Sequence, residues 1–412
     1  MKCKTRHAEA AARQREPMCR TCLYAGLLNR FGKAVRMQGL VQKGDRVLVC
    51  VSGGIGSMSL LHFLSQLHNP HPDRLVSGKV HFELSVIHIE EGFAHGLSPE
   101  ASAAAAEAVR AAVAACNPSA AFYCIPLDAV FAAHEQPAAA LEASLAAQGP
   151  EPRSLHDWQR FVPRLQELLE AVTDPTGRED LIEHLREALL LTTAARLGCN
   201  RLAKGDCATR LAVRTVALSS KGCGFALPGC LQYVDARHGP QQPVSISPIR
   251  DLAVKELALM CHYQRVSLAP LPVLRRSPKA SINALAEAFV ANLQATVPSS
   301  VSTIVKTALK LQAFPWNAGL PVHNRRPAKE SAPVDRPAAA QPAEPASSSG
   351  RPNSGANAFR LCAVCAAPMM LNELAGTATT QAVDQAGAST SGPLAQACCR
   401  SCRGQIMTQL AV

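Results

Sequence analysis

Val47-Leu48-Val49-Cys50-Val51-Ser52-Gly53-Gly54-Ile55-Gly56-Ser57, followed by Met58 to Leu67, decides how the rest of the chain is read. Five β-favouring residues lead into a Ser-Gly-Gly turn, after which Leu60, Leu61, Leu64 and Leu67 recur at helical spacing. The pattern predicts a strand, a phosphate loop and a helix. Glycine lets the backbone take positive φ and approach a ligand closely, while the free N–H groups and positive dipole end of the helix face the turn. An anion, above all a nucleotide phosphate, is the natural occupant. No Gly-Lys-Ser/Thr follows, so the loop is not of the Walker type. A glycine turn in any α/β domain shares the local pattern, and the remaining chain has to decide.

Downstream, Asn69-Pro70-His71-Pro72-Asp73 reads as a turn, and Val80 to Ile89 alternates as a second strand ending in Glu90-Glu91-Gly92. An alanine-rich helix from about Pro99 to Ala115 precedes a third strand, Ala121 to Leu127. Strands alternating with helix-length crossovers predict an α/β fold with a doubly wound parallel sheet. The ligand crevice of such a sheet lies at the carboxyl ends of its strands, where Glu90 and Glu91 are expected beside Ser52 to Ser57. Helices resume at Phe161 to Val172 and Asp180 to Leu197; a short strand then turns through Lys204-Gly205-Asp206-Cys207 into another helix. Asp206 is placed to orient a nucleotide or its Mg²⁺, although an aspartate before a helix is commonly just an N-terminal cap. The neighbouring Cys207 is a candidate nucleophile, against the plainer reading of a buried packing residue.

The chain has 412 residues, 48% of them hydrophobic, enough for two or three domains with sizeable cores. A net charge of +11 and a pI near 9.0 permit an anionic partner, but 4% aromatic content gives little support for a base-stacking platform. There is no apolar run of membrane-spanning length, and Met1-Lys2-Cys3-Lys4 opens no secretory h-region, so no membrane is implied and the chain reads as cytoplasmic. Its 16 cysteines are then expected reduced, and those closely paired read as metal ligands. Cys3, Cys19 and Cys22 supply three such ligands, with His7 a candidate fourth; a metal-free dithiol is the alternative. Near the other end, Cys362, Cys365, Cys399 and Cys402 form two Cys-x-x-Cys pairs, with Cys398 spare, and fit structural zinc.

The expected organisation is an N-terminal cysteine knuckle and basic helix over 1–42, and an α/β domain over 43–265 with an insertion near 131–157. C-terminal helices over 266–323, a disordered linker over 324–357 and a zinc module over 358–412 follow.

Ser52-Gly53-Gly54-x-x-Ser57 resembles the pyrophosphate loop of ATP pyrophosphatases that activate a carbonyl by adenylation, a group containing the tRNA thiolases. Further matches are Gly205-Asp206-Cys207-Ala208-Thr209-Arg210-Leu211-Ala212 and Ser247-Pro248-Ile249-Arg250-Asp251 before a helix near Lys255-Glu256. Lys279-Ala280-Ser281-Ile282, the helix start Pro298 to Thr303 and the paired cysteines complete the set. In this order they resemble the cytoplasmic tRNA 2-thiolation protein 2 family over nearly the whole chain. The resemblance implies an adenine nucleotide alpha-hydrolase-like fold and a part in making 2-thiouridine at the wobble position of tRNAs for Lys, Glu and Gln. It implies a heterodimer with the paralogous tRNA 2-thiolation protein 1, and sulfur from a thiocarboxylated ubiquitin-related modifier. The chemistry implied is adenylation of the uridine C2 oxygen by ATP and Mg²⁺, followed by displacement of AMP by sulfur.

The departures from the family of active loops divide the labour. Active pyrophosphatase loops carry Lys-Asp where this chain has Ile55-Gly56, and no cysteine lies between Cys124 and Cys199, where catalytic paralogues place one. The expectation is a partner subunit that keeps the nucleotide-binding fold, with Ser52, Gly53, Gly54, Ser57 and Asp206 as its nucleotide-binding residues, but has lost most or all catalysis. The competing readings are a thiolase acting through Cys207 or a C-terminal cysteine, and a nucleotide-binding regulator that never meets RNA.

Overall fold

The computed structural model describes residues 7–12, 16–68, 81–131, 161–270, 277 and 279–317, with 360–362, 364–369, 398–399, 402 and 405–406 near the C-terminus. An antiparallel pair, β1 (Ala10–Ala12) and β2 (Glu16–Met18), leads into α1 (Arg20–Gln38), which stops at Gly39 in the left-handed conformation. The α/β units follow as β3 (Arg46–Cys50), α2 (Ile55–His68), β4 (Glu83–Glu90), α3 (Pro99–Cys116) and β5 (Ala121–Pro126). Two helices, α4 (Val162–Ala171) and α5 (Pro175–Arg196), precede β6 (Arg201–Ala203) and α6 (Ala208–Ser220). The sheet is completed by α7 (Leu227–Cys230), β7 (Val234–Asp235), β8 (Val244–Ile246) and α8 (Val254–Gln264). Beyond it come α9 (Ile282–Thr296), α10 (Ser300–Ala308) and the small pair β9 (Arg360–Leu361) and β10 (Pro368–Met369).

Six strands lie in the order β5-β4-β3-β6-β8-β7, all parallel except the β7–β8 edge. The order reverses between β3 and β6, which makes the loops after these two strands the walls of the crevice. The doubly wound sheet expected from the sequence is present. Its layers follow from side-chain alternation: Val47, Val49 and Val86 face a core shared with α1, α2, α3 and α8, while Leu48, Ile87 and Ile125 face one shared with α4 and α5. Phe31 of α1 stacks on Phe63 of α2 at 5.1 Å, so the first helix closes the first core. A third cluster holds α9 and α10 against α6 through Leu211, Val290, Val301 and Val305.

Helix starts are marked by side chains that satisfy orphan amides. The Ala101 N–H donates to Ser98 before α3, the Gly177 N–H to Asp174 before α5, and the Ala284 N–H to Ser281 before α9, at 3.3, 2.6 and 3.0 Å. The strands β7 and β8 were not expected, because runs of two and three residues carry no periodicity of their own. The turn at Asn69 to Asp73, the insertion from 132 to 157 and the linker over 324–357 lie outside the described residues. Among the described residues no helix is long and apolar enough to cross a membrane.

Phe63 is fully buried between α1 and the sheet. Phe63→Ala is expected to lower unfolding stability by about 3–5 kcal/mol, whereas Lys33→Ala on the exposed side of α1 shifts it by less than about 0.5 kcal/mol, as read by chemical denaturation.

Candidate functional site

The loop after β3 has the local form its glycines require. Gly53 takes φ +80°, and α2 begins at Ile55. The Ser52 N–H donates to Ser57 Oγ at 3.2 Å, Ser57 Oγ donates to the Gly54 carbonyl at 3.2 Å, and the two serine hydroxyls lie 3.3 Å apart. Beneath the loop, His88 of β4 bonds the Val51 carbonyl through Nδ1 at 2.9 Å, and burial lowers its pKa and favours the neutral ring. From outside, the Ala269 N–H donates to the Gly53 carbonyl at 3.1 Å, so the chain leaving α8 crosses the loop.

The two walls of the crevice touch backbone to backbone. A Cβ on Gly56 would lie 2.5 Å from the Gly205 carbonyl oxygen, and one on Gly205 would lie 2.7 Å from Ser57. No side chain can stand at position 56 while this contact holds. By contrast a Cβ on Gly54 would meet only the Ser52 hydroxyl, at 3.7 Å. Ile55 and Gly56 thus leave the loop without the cation and the acid of an active pyrophosphatase loop, and the fold has taken up the space of the second.

Asp206 stands at the end of β6 as expected, but it is committed elsewhere. Arg214, two turns along α6, donates to Asp206 at 3.1 Å and to Glu183 of α5 at 3.0 Å. Burial alone would raise the Asp206 carboxyl; Arg214, with Arg210 and Lys204, outweighs it and holds the pKa below the ordinary aspartate value. Lys204 pairs with Glu187, and Arg186 makes a two-pronged contact to Glu91 at the end of β4. Lys221 reaches both oxygens of Asp180 at 2.9 and 2.8 Å and Asn283 of α9 at 3.2 Å. Glu90 is buried and turns back onto Ser102 and the Gly92 amide. The crevice is therefore lined by ion pairs that satisfy one another. Sequence reading missed Glu183, Arg186, Glu187 and Arg214, whose spacing on helices is that of any solvated face.

Cys207 is buried at the start of α6, and burial raises its pKa, so the thiolate a nucleophile needs is disfavoured. Cys50, at the end of β3, is raised as well, burial outweighing nearby Lys204. At the N-terminus Cys19 is the buried residue before α1 and Cys22 lies in its first turn; Cys3 lies outside the described residues.

The C-terminal cysteines gather as the spacing predicts. The sulfurs of Cys362, Cys365, Cys399 and Cys402 all lie within 4.8 Å of one another, with Cys365 and Cys399 at 3.7 Å. Hydrogen bonds from Cys365, Cys399 and Cys402 lower the pKa of Cys362, and the Cys399 amide points at the same sulfur at 3.2 Å. A tetrahedral ion with Zn–S bonds of about 2.3 Å separates its sulfurs by about 3.8 Å, so the donor set fits a single soft cation. A four-iron cluster would hold its terminal thiolates apart by its own width.

A family profile described as cytoplasmic tRNA 2-thiolation protein 2 matches residues 281–406, from the start of α9 through both C-terminal cysteine pairs. Cytoplasmic tRNA 2-thiolation protein 2 of Arabidopsis thaliana is 30% identical over 404 residues, covering 95% of this chain and 77% of that protein. The chain belongs to the cytoplasmic tRNA 2-thiolation protein 2 family. The family member from Oryza sativa subsp. indica is 30% identical over 308 residues, 73% of this chain and 60% of its own length, so the chain spans less than two thirds of that relative. Among solved structures, the U34-tRNA thiolase NcsA from Methanococcus maripaludis, described with its [4Fe-4S] cluster, superposes with a TM-score of 0.51 at 12% identity, covering 74% of this chain and 84% of that one. At that identity the likeness is one of fold, and it agrees with the pyrophosphatase-loop type of sheet that the family resemblance implied.

Two outcomes follow for this site. Gly56→Ala is expected to cost about 1–3 kcal/mol, because the Gly205 backbone must move, while Gly54→Ala is tolerated, as judged by denaturation midpoints. Arg214→Met, which leaves Asp206 and Glu183 without their cation, is expected to cost about 2–3 kcal/mol at neutral pH, less than a fully buried pair because a quarter of Arg214 meets solvent. Asp206 has a lowered pKa in the folded state, so its stabilising contribution is complete above the ordinary aspartate range and is lost as pH falls through the lower folded value. The gap between wild type and Arg214→Met should accordingly narrow in urea titrations carried toward acid.

Proposed function

We propose that this chain is the non-catalytic or weakly catalytic partner subunit in cytoplasmic 2-thiolation of the wobble uridine of tRNAs for Lys, Glu and Gln. It pairs with the paralogous tRNA 2-thiolation protein 1, which carries out adenylation and sulfur transfer, with sulfur delivered by a thiocarboxylated ubiquitin-related modifier. Family membership supports the role in tRNA 2-thiolation and the cytoplasmic setting, through the names its relatives carry. The observation that carries the division of labour is the backbone contact between Gly56 and Gly205, which fills the place of the loop acid.

The residues of the crevice do not fit ATP with Mg²⁺ as a turnover site. The loop offers Ile55 in place of a cation, and the nearest carboxylate after β6, Asp206, is tied to Arg214. No step of adenylation is therefore assigned to this chain. The reading of Cys207 as a thiolase nucleophile is weakened by the burial that raises its pKa. What the chain contributes instead is a folded surface for its paralogue and, with a net charge of +11, for tRNA phosphates. Structural zinc is assigned to Cys362, Cys365, Cys399 and Cys402, which fill all four positions and leave none for water.

The test is the 2-thiouridine content of tRNA, by mass spectrometry, in cells lacking this protein and rescued with wild type or Gly54→Asp. Loss of the modification on deletion and its return with both forms is the expected result, accompanied by no ATP–pyrophosphate exchange by the isolated chain. Unchanged 2-thiouridine in the deletion overturns the role in thiolation. Exchange by the isolated chain that Gly54→Asp abolishes would move catalysis into this subunit.

A further inference from the structure

Two side chains of the α/β domain reach the four-cysteine site without belonging to it. His184 of α5 places Nε2 3.9 Å from Cys402 Sγ, and Cys223, in the turn after α6, comes within reach of Cys399 while its Sγ lies 3.9 Å from the Lys221 carbonyl. The same C-terminal segment meets the domain by backbone. A Cβ on Gly177, in the first turn of α5, would overlap the Gln405 carbonyl, and Arg237 donates to the Ala366 carbonyl at 3.2 Å. Around these contacts Cys362, Met369, Cys398, Cys399, Cys402 and Ile406 share one core with α4 and α5.

Thiolates on a metal keep lone pairs that accept hydrogen bonds, and donors to them orient the ligands and tune the affinity of the site. We propose that His184 and Cys223 are positioning residues for the metal centre, donating to Cys402 and Cys399, so that metal binding and the seating of the C-terminal segment on α5 are one linked equilibrium. The proposal rests on the four-thiolate metal reading and adds to it a partner half that the domain supplies. The linkage has a physical basis. Four cysteines from two stretches over thirty residues apart converge only if both stretches are ordered, and the surface that orders them is α5 and the turn after α6. Occupancy of the site then stabilises whatever the segment covers, by the same free energy. The covered element is the helix whose other residues, Glu183, Arg186 and Glu187, line the crevice.

The experiment uses the full chain, prepared anaerobically with reductant, zinc as the probe, chelator competition for affinity and hydrogen–deuterium exchange for docking. His184→Ala and Cys223→Ala are each expected to weaken zinc about 10–100-fold, with His184→Gln and Cys223→Ser, which keep a donor, recovering part of the loss. Stripping zinc from wild type should raise exchange in α5 and at Cys362, Cys399 and Cys402 while β3 and α2 stay protected. Wild-type zinc affinity in both alanine variants, or unchanged protection of α5 after stripping, overturns the linkage while leaving the metal site standing. Should His184→Ala not fold, Cys223→Ala and the stripping of wild type decide alone. A wild-type chain that takes up no zinc at the four cysteines overturns the metal reading and this inference with it.

Discussion

The burial of a charged helix face against the carboxyl end of the sheet is the constraint on which the rest of this structure depends. Asp180, Glu183 and Glu187 recur along one side of α5, and each finds a cation from another element: Lys221, Arg214 and Lys204. Arg186 of the same helix holds Glu91 at the end of β4. Desolvating such groups is costly unless each is paired, so the helix has little freedom to shift or rotate. Through these pairs α5 fixes the ends of β4 and β6, the start of α6 and, by way of Lys221 and Asn283, the start of α9.

That constraint also explains why a nucleotide fold need not act on a nucleotide. A phosphate site needs cations and carboxylates with unspent capacity, held open toward a ligand. Here Asp206 and Lys204 stand at the expected strand end, yet their charges are neutralised within the protein. The glycine pair at positions 56 and 205 completes the closure, since two backbones in contact leave no place for the side chain that would hold a metal. The sheet, the loop and its serines keep their architecture, and the charged groups around them are held by interactions within the protein.

The cysteine cluster meets the same helix beside its polar stripe. His184 sits between Glu183, which faces Arg214, and the apolar residues that anchor α5 to the sheet, and it meets Cys402. The described residues of the C-terminal segment are held against α4 and α5 by a small shared core. The centre and the crevice are thus neighbours along one helix.

How much of this was legible before the structure depends on whether a residue's role is local. The loop after β3, the parallel order of the sheet and the two C-terminal cysteine pairs were readable, because helical and strand periodicity, glycine-dependent turns and Cys-x-x-Cys spacing act over a few residues. Asp206 was placed correctly at its strand end, but its partner was not foreseen, since Arg214 reads in sequence as one more arginine on an amphipathic helix. The ion pairs of α5, the contact between Gly56 and Gly205, and the approach of His184 and Cys223 to the cysteines join residues far apart in the chain. By itself the sequence determined the kind of fold, the family and which four cysteines come together near the C-terminus. Only the tertiary structure decided that the crevice is filled from within, because whether a charge is free or spent depends on which distant side chain burial brings against it.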